Sequence, residues 1–211
     1  MKNKLFFITK RLVDIFGSTF LIILFLPLMI TVAILIKLTS PGPAIFKQKR
    51  VGKNCIFWMY KFRSMYIGDN DKFLREQHPD VWKKYKAADW KLPMHEDPRI
   101  TPIGRFIRST SIDEMPQFFN VLRGEMSLVG PRAYRDEELK EYAQKYPKTV
   151  DNIKTIRSAK PGITGLWQIS GRNELSFEKR AQLDAQYIQS QSIFQEILIL
   201  LKTPKAMLSR W

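Results

Sequence analysis

Two adjacent acids, Asp113 and Glu114, are the residues of this chain whose types best suit covalent or metal chemistry. An ionised aspartate can attack phosphorus to form an acyl-phosphate, and its hard oxygen atoms can also hold Mg²⁺. Arg108 and Arg123 lie close by in sequence, where they could bind phosphate. The acids also fit a structural role, because Ser111-x-x-Glu114 matches a capping box at a helix N-terminus. The residues alone leave both roles open.

Basic residues beside turns form a second group that could bind phosphate. Arg132 follows Gly130-Pro131, Arg172 follows Gly171, and Lys160 opens the glycine-rich segment 160–165. A guanidinium fixed by a turn can bind a phosphate through two parallel hydrogen bonds. The glycine-rich segment matches neither the dinucleotide fingerprint nor the P-loop pattern. It therefore predicts either a plain turn or backbone contact with phosphate.

The composition narrows the function classes. The 211 residues carry 35 Lys and Arg against 20 Asp and Glu, a formal net charge of +15, which favours an anionic partner. The single cysteine, Cys55, excludes an internal disulfide framework, and with two histidines it cannot complete a usual four-ligand zinc site. Basic residues are spread along the chain and no nucleic-acid motif is present, so nucleic acid is not predicted as a partner.

An apolar segment near the N-terminus predicts membrane attachment. No residue between Asp14 and Lys37 is charged, and a helix over this stretch is about 33 Å long, enough to cross the hydrocarbon core. Pro27 at its middle kinks or breaks such a helix. Basic residues flank both ends, which draws both ends toward the cytoplasm. We predict a re-entrant, proline-broken membrane helix within residues 1–40, with a straight spanning anchor as the alternative.

A polar helix face precedes the apolar stretch. Lys10, Asp14 and Ser18 share this face because they are spaced four residues apart, and Arg11 adjoins them. Such a face can hold a lipid phosphate at the headgroup level, or it can begin the helix with one local ion pair. The sequence leaves these two interpretations open.

The remaining residues, 41–211, predict a compact catalytic domain that positions the acids and the basic turns. The predicted elements are strands at 44–46 and 57–62 around a turn at 52–54, and helices at 111 to about 122, 136–146, 177 to about 190, and from 193 onward. The last helix has a strongly apolar face, which fits either a core helix or an amphipathic helix on the membrane interface. The predicted fold class is α+β and predominantly helical.

In their order along the chain, these pieces resemble the bacterial sugar transferase family, monotopic enzymes that transfer a sugar phosphate from a UDP-sugar to a polyprenol phosphate. The resemblance covers essentially the whole chain. Its motifs are Lys10-Arg11-x-x-Asp14-x-x-x-Ser18, Tyr60-Lys61-Phe62-Arg63-Ser64-Met65, Asp97-Pro98-Arg99-Ile100-Thr101, Ile107-Arg108-x-x-x-x-Asp113-Glu114-x-Pro116-Gln117, Asn120-Val121-Leu122-x-Gly124-x-Met126-Ser127-x-Val129-Gly130-Pro131-Arg132 and Lys160-Pro161-Gly162-Ile163-Thr164-Gly165-Leu166-Trp167-Gln168-x-x-Gly171-Arg172.

The resemblance implies roles for particular residues. Family members use an Asp-Glu pair, with the aspartate as covalent nucleophile and Mg²⁺ partner, and this pair corresponds to Asp113 and Glu114. Substrate or phosphate binding is implied for a set of basic, turn and amide residues, namely Arg108, Pro131, Arg132, Lys160, Gly162, Gln168 and Arg172. Lipid or membrane contact is implied for Lys10, Arg11, Asp14, Ser18 and Pro27.

The resemblance also implies a reaction and its setting. The expected partners are a UDP-sugar, undecaprenyl phosphate and inner-membrane lipid, with UMP as the released product and Mg²⁺ as cofactor. The expected location is the bacterial inner membrane, with the catalytic domain on its cytoplasmic face. Leu166-Trp167-Gln168 resembles members that transfer hexose phosphates such as galactose or glucose. Larger members carry a further membrane domain, so the chain corresponds to a minimal member or to part of a longer protein.

Other function classes remain open on sequence grounds. A membrane scaffold without activity would tolerate the loss of Asp113. A membrane-anchored nucleic-acid-binding protein would bind with a steep dependence on salt. A glycosyltransferase that moves sugar without phosphate would release UDP instead of UMP. The oligomeric state is also open, and a homo-oligomer is one arrangement that the sequence allows.

Overall fold

The computed structural model describes residues 4–88, 90, 92–171 and 175–208, without the side chains of residues 207 and 208. Its elements are α1 (Lys4–Thr39), β1 (Ile45–Val51), β2 (Ile56–Phe62), α2 (Asn70–Gln77), α3 (Pro79–Ala87), α4 (Pro102–Ser109), a 3-10 turn (Ile112–Glu114), α5 (Gln117–Arg123), β3 (Ser127–Val129), α6 (Asp136–Lys145), a 3-10 turn (Pro147–Thr149), α7 (Val150–Arg157), β4 (Gly162–Thr164), α8 (Leu166–Ile169), α9 (Phe177–Ser190) and α10 (Ile193–Leu208). The described residues are mostly helical, which confirms the predicted fold class.

The predicted β-hairpin is confirmed, and its first strand is longer than expected. β1 and β2 pair antiparallel over their full lengths. Side chains alternate between the two faces of a strand, and Phe57 and Met59 of β2 are buried in a hydrophobic cluster. Lys61 is the next residue on that inward face. The strand therefore directs a lysine side chain toward the rest of the domain.

A second, parallel strand pair joins two segments beside which the sequence predicted turns. β3 and β4 pair in parallel, and the contact continues with hydrogen bonds from the N–H of Gly130 to the carbonyl of Thr164 (2.8 Å) and from the N–H of Gly162 to the carbonyl of Pro131 (2.9 Å). A Cβ added at Gly162 would lie 2.0 Å from the backbone nitrogen of Gly130. Only glycine allows the two backbones to approach this closely.

Replacing Gly162 by alanine is expected to lower the free energy of unfolding by about 2 kcal/mol or more, because overpacking against rigid atoms forces the backbone to shift. Thermal unfolding in detergent measures this loss. Gly68→Ala is the matched control, since its surroundings are open and only its positive φ is strained. A melting temperature of Gly162→Ala equal to that of the wild type, or above that of the Gly68→Ala control, would contradict the close approach of the backbones at Gly162 and Gly130.

The first helix, α1, runs without interruption from Lys4 to Thr39, through Pro27. It is long and apolar enough to cross a membrane. Its large apolar side chains are strongly exposed, for example Phe16 (70%), Ile23 (69%) and Leu38 (77%). These side chains favour association with a membrane. The proline does not open a gap in the helix, and the re-entrant arrangement stays a prediction.

One face of α1 packs on the rest of the chain near both helix ends. Toward the C-terminal end, Ile36 joins a core cluster with Ile107 of α4. Toward the N-terminal end, buried Asp14 accepts hydrogen bonds of 2.9 Å from the Ser127 hydroxyl and from the N–H of Leu128. These contacts make α1 a structural part of the domain rather than a flexible tether.

Two basic residues of α1 extend this docking. Lys10 Nζ lies 2.5 Å from Glu196 Oε2, so an ion pair links α1 to α10. The Arg11 guanidinium donates to the carbonyls of Val121 and Leu122 at 2.6 and 2.8 Å. These carbonyls lie in the last turn of α5, where a helix leaves carbonyls short of intrahelical donors, and the Val121 carbonyl also accepts from the N–H of Gly124. The polar face thus binds protein, and its predicted role in holding a lipid headgroup stays a prediction.

Candidate active site

The acidic pair lies on a tight turn rather than at the start of a long helix. Ser111 has a φ of +57°, in the left-handed region, and a single 3-10 turn, Ile112–Glu114, follows it. α5 begins only at Gln117, after Pro116. Ser111 makes no capping hydrogen bond with its side chain, so the predicted capping box and the continuous helix from 111 to 122 are wrong. Left-handed backbone at a residue other than glycine is strained, and such strain is concentrated at functional sites.

Lys61 connects the two carboxylates. Its Nζ lies 2.7 Å from Glu114 Oε1 and 3.6 Å from Asp113 Oδ2. Burial raises the pKa of Asp113 to about 6; Lys61 and Arg108 act to lower it and Glu114 to raise it. At neutral pH Asp113 is therefore mainly ionised, although only 10% of its side chain is exposed. A poorly solvated carboxylate of this kind is suited to nucleophilic attack.

Asn120 of α5 fixes the position of β2 relative to the acids. Its side chain is fully buried. Its Oδ1 accepts from the N–H of Tyr60 at 2.9 Å, and its Nδ2 donates to the carbonyl of Trp58 at 2.7 Å. The amide thereby satisfies backbone groups of β2 as a neighbouring strand would. Because Lys61 follows Tyr60 directly, this contact holds the lysine opposite the acidic pair.

The loop after β3 brings Arg132 toward the acidic pair. Asp184 of α9 accepts hydrogen bonds from the N–H of Arg132 at 3.2 Å and from the Tyr134 hydroxyl at 3.1 Å. The Arg132 guanidinium carbon lies 5.4 Å from the centre of the Trp167 ring. Burial lowers the pKa of Arg132, but the charge of Glu138 and, more weakly, that of Glu114 help to raise it above its ordinary value. Arg132 and the acids therefore belong to one electrostatic site.

Other residues predicted to bind substrate have different surroundings. Gln168 donates through Nε2 to the carbonyl of Ile163 at 2.9 Å, so its amide holds the loop that contains β4. Burial lowers the pKa of Lys160, and the charge of Arg11 lowers it further. These neighbours place Lys160 by the N-terminal part of α1. Arg172 lies outside the described residues.

Two further residues were predicted to contact lipid. Ser18 is fully buried against the domain, and its hydroxyl has no hydrogen-bond partner in the described part of the chain. Pro27 is exposed on α1. Lipid contact by these residues stays a prediction, which the position of Pro27 favours and the burial of Ser18 does not.

The acidic pair supplies donor atoms that suit Mg²⁺, which prefers carboxylate oxygens, phosphate oxygens and water. Within residues 4–88, 90, 92–171 and 175–208, no group of three or more His, Cys, Asp or Glu could hold a metal ion. Asp113 and Glu114 would therefore hold the ion together with substrate phosphate and water, the usual arrangement for this metal. On donor chemistry, the residues fit the predicted cofactor.

Lys61 and Asn120 lie within two of the family motifs, but the sequence predicted no role for either residue. A signal for Lys61 was present, because it shares the inward face of β2 with Phe57 and Met59, and a lone cation at an inward position needs an anionic partner. No comparable signal exists for Asn120. Its partner Tyr60 lies 60 residues away, so only the folded chain brings the two together.

Similarity to known proteins extends over nearly the whole chain. The family model described as bacterial sugar transferase matches residues 5–210. The chain belongs to this family. The sugar transferase match includes the acidic pair, the Arg132 loop and all of α1 except its first residue, which are the parts that the structure brings together.

Curated relatives of this sugar transferase carry informative names. It is 43% identical over 95% of its length to an undecaprenyl-phosphate galactose phosphotransferase of Salmonella typhimurium, of which it covers 40%. It is 38% identical over 92% of its length to a UDP-glucose:undecaprenyl-phosphate glucose-1-phosphate transferase of Escherichia coli, of which it covers 39%. It is 37% identical to the exopolysaccharide production protein ExoY of Rhizobium meliloti and covers 86% of that protein. The chain thus spans about two fifths of the first two relatives.

Proposed function

We propose that this sugar transferase moves a hexose-1-phosphate from a UDP-sugar to undecaprenyl phosphate and releases UMP. The observation that carries the proposal is Asp113, a buried carboxylate with a pKa raised to about 6, held next to Lys61 and within the field of Arg108. The relatives named for galactose and glucose transfer support the substrates. Leu166-Trp167-Gln168, which resembles hexose-phosphate transferases, supports the choice of sugar.

In the first half-reaction, an oxygen of Asp113 attacks the β-phosphorus, the one bonded to the sugar. The new carboxylate–phosphorus bond forms while the bond from that phosphorus to the bridging oxygen breaks, and UMP leaves with the bridging oxygen. Arg108 and Arg132 stabilise the negative charge that builds up on the leaving phosphate. Lys61 orients the two carboxylates and keeps Asp113 ionised near neutral pH.

In the second half-reaction, a phosphate oxygen of undecaprenyl phosphate attacks the phosphorus held on Asp113. The carboxylate–phosphorus bond breaks, Asp113 is regenerated, and the product is undecaprenyl diphosphate sugar. Glu114 is placed to assist beside the reacting centre, with Lys61 2.7 Å from its carboxylate. When bound, Mg²⁺ supplies positive charge that offsets the charge of the transferred and leaving phosphates.

The contacts of α1 with the domain near both of its ends support a re-entrant arrangement in the membrane. A helix of 36 residues is about 54 Å long when straight, well above the roughly 30 Å of the hydrocarbon core. A domain on one side of a bilayer cannot contact both ends of a straight spanning helix. Asp14 and Ile36 both contact the same domain, which supports a path that returns to the face on which the active site lies, and we assign this face to the cytoplasm.

The identity of the released nucleotide tests the proposal. The chain in nanodiscs, given Mg²⁺ and undecaprenyl phosphate, is expected to release UMP from UDP-galactose or UDP-glucose. Omission of the lipid is expected to abolish multiple turnover. Release of UDP would contradict the proposal and indicate an ordinary glycosyltransferase.

The dependence of activity on pH tests the state of Asp113. The nucleophile must be ionised, so kcat/KM is expected to rise with pH through about 6 and to level off above about pH 7. Lys61→Gln removes a charge that acts to lower the pKa of Asp113, so the acid limb of the profile should move to higher pH. Lys84→Gln, on the exposed surface of α3, is the control. An acid limb that is the same in all three proteins would contradict the role of Lys61.

A further inference from the structure

Arg50 of β1 is a buried cation that the proposed mechanism does not use. Its side chain is 12% exposed, and the nearest acid, Glu138, lies 3.8 Å from it. That distance is longer than the 2.7–2.9 Å typical of a charge-assisted hydrogen bond. Its two terminal nitrogens donate instead to uncharged oxygens, the carbonyl of Ala133 at 3.0 Å and the side chain of Gln48 at 2.5 Å.

Arg50 lies beside a second cation, Arg132. Burial, and then the charge of Arg132, lower the pKa of Arg50 to about 10; Arg135 acts in the same direction and Glu138 against it. The Nε atoms of both Arg50 and Arg132 are buried and have no hydrogen-bond partner in the described part of the chain. Buried donors without partners are costly, and buried cations more so. Glu138 acts on both arginines, so the pair carries two positive charges against one nearby acid.

A second anion bound to these two arginines would lie near the acidic pair. Glu114 is among the groups that act on Arg132, and Lys61 links Glu114 to Asp113. A phosphate bound to both arginines would thus adjoin the nucleophile. Guanidinium groups bind phosphate bidentately, and a phosphate would supply negative charge that Glu138 alone does not provide for two arginines.

We propose that Arg50 binds the diphosphate of the nucleotide donor together with Arg132. The inference rests on the proposed function, because it takes the donor to be a UDP-sugar. Arg50 is thereby a substrate-binding residue that recognises phosphate charge, not uracil or sugar. The alternative is that Arg50 only holds the Arg132 loop in place through the carbonyl of Ala133.

A ligand series separates these roles. Dissociation constants for uridine, UMP and UDP with Mg²⁺ are measured by calorimetry on the full chain in detergent, for the wild type, Arg50→Gln and Arg50→Lys. If Arg50 contacts phosphate, Arg50→Gln leaves uridine binding unchanged and weakens UDP binding about ten- to hundredfold, with a smaller loss for UMP. Arg50→Lys keeps the positive charge but loses the planar guanidinium that can bind phosphate through two parallel hydrogen bonds. A smaller loss of UDP binding is therefore expected. Arg75→Gln, an exposed arginine of α2, is the control and should bind all three as the wild type does.

The binding measurements distinguish phosphate recognition by Arg50 from a purely structural role. Equal losses for uridine and UDP, or no loss for either, would assign Arg50 a structural role and overturn it. If Arg50→Gln does not fold, Arg50→Lys decides by the same comparison, and a UDP-to-uridine ratio equal to that of the wild type overturns the inference. The readout is binding, so the two proposals can fail separately. A wild type that binds UDP but releases no UMP from UDP-sugars overturns the proposed function alone.

Discussion

Asp113→Asn is expected to reduce turnover by about a thousandfold or more, the scale seen when an enzyme loses its nucleophile. An amide cannot attack phosphorus, so neither half-reaction can proceed. The substitution is nearly isosteric and removes a charge whose burial is unfavourable, as its raised pKa indicates. The fold should therefore survive, with a melting temperature equal to or above that of the wild type. Initial rates of UMP release, together with thermal unfolding, measure both effects.

The matched control for this variant is Asp151→Asn. Asp151 is an aspartate on α7 whose side chain is 92% exposed and which pairs only with Lys154 among the interactions of the described residues. Its replacement should leave the rate of UMP release unchanged. Turnover in Asp113→Asn within a few-fold of the control would remove Asp113 from the nucleophile role.

Asp14→Leu is expected to destabilise the protein by about 3 kcal/mol, because the N–H of Leu128 and the hydroxyl of Ser127 would lose a charged acceptor inside the protein. For a chain of this size, such a loss lowers the melting temperature by about 6–12 °C. Asp14→Asn keeps an acceptor oxygen and should lose less. Thermal unfolding in detergent, with proteolysis of the linker after α1, measures the loss of docking.

Thr31→Val is the control for Asp14→Leu on the same helix. Thr31 is exposed, and among the described residues its hydroxyl bonds only within α1, to the carbonyl of Pro27. Its replacement should therefore leave the melting temperature nearly unchanged. If Asp14→Leu has the same melting temperature as the Thr31→Val control, the polar face of α1 does not hold the helix on the domain. The lipid-headgroup interpretation of Lys10 and Asp14 would then regain support.

The sequence was sufficient for features that depend on local pattern. The uncharged stretch after Asp14 predicted a long apolar helix, although α1 continues through Pro27 without the predicted break. The spacing of Lys10, Asp14 and Ser18 predicted a shared face. The runs around the turn at 52–54 predicted the hairpin. Each of these follows from periodicity or turn chemistry within a few residues, which the tertiary structure did not override.

Features that depend on distant partners were missed or misassigned. Ser111 matched a capping box, but its backbone is left-handed instead of the extended conformation that an N-cap residue usually has, and α5 begins only at Gln117. The parallel pair of β3 and β4 involves only three residues in each strand, too few for a periodic signal. The partner of Lys10 is Glu196, 186 residues away. From sequence, a polar side chain awaiting such a partner cannot be distinguished from one that faces a lipid headgroup.

Exchange between labelled UMP and unlabelled UDP-sugar, without any lipid acceptor, tests the central claim most directly. If Asp113 carries the sugar phosphate, the first half-reaction is reversible on its own. Label is then expected to enter UDP-galactose or UDP-glucose in the wild type and not in Asp113→Asn. The wild-type protein should also gain the mass of one hexose phosphate. Exchange that requires undecaprenyl phosphate, or that persists in Asp113→Asn, would contradict a covalent intermediate on Asp113.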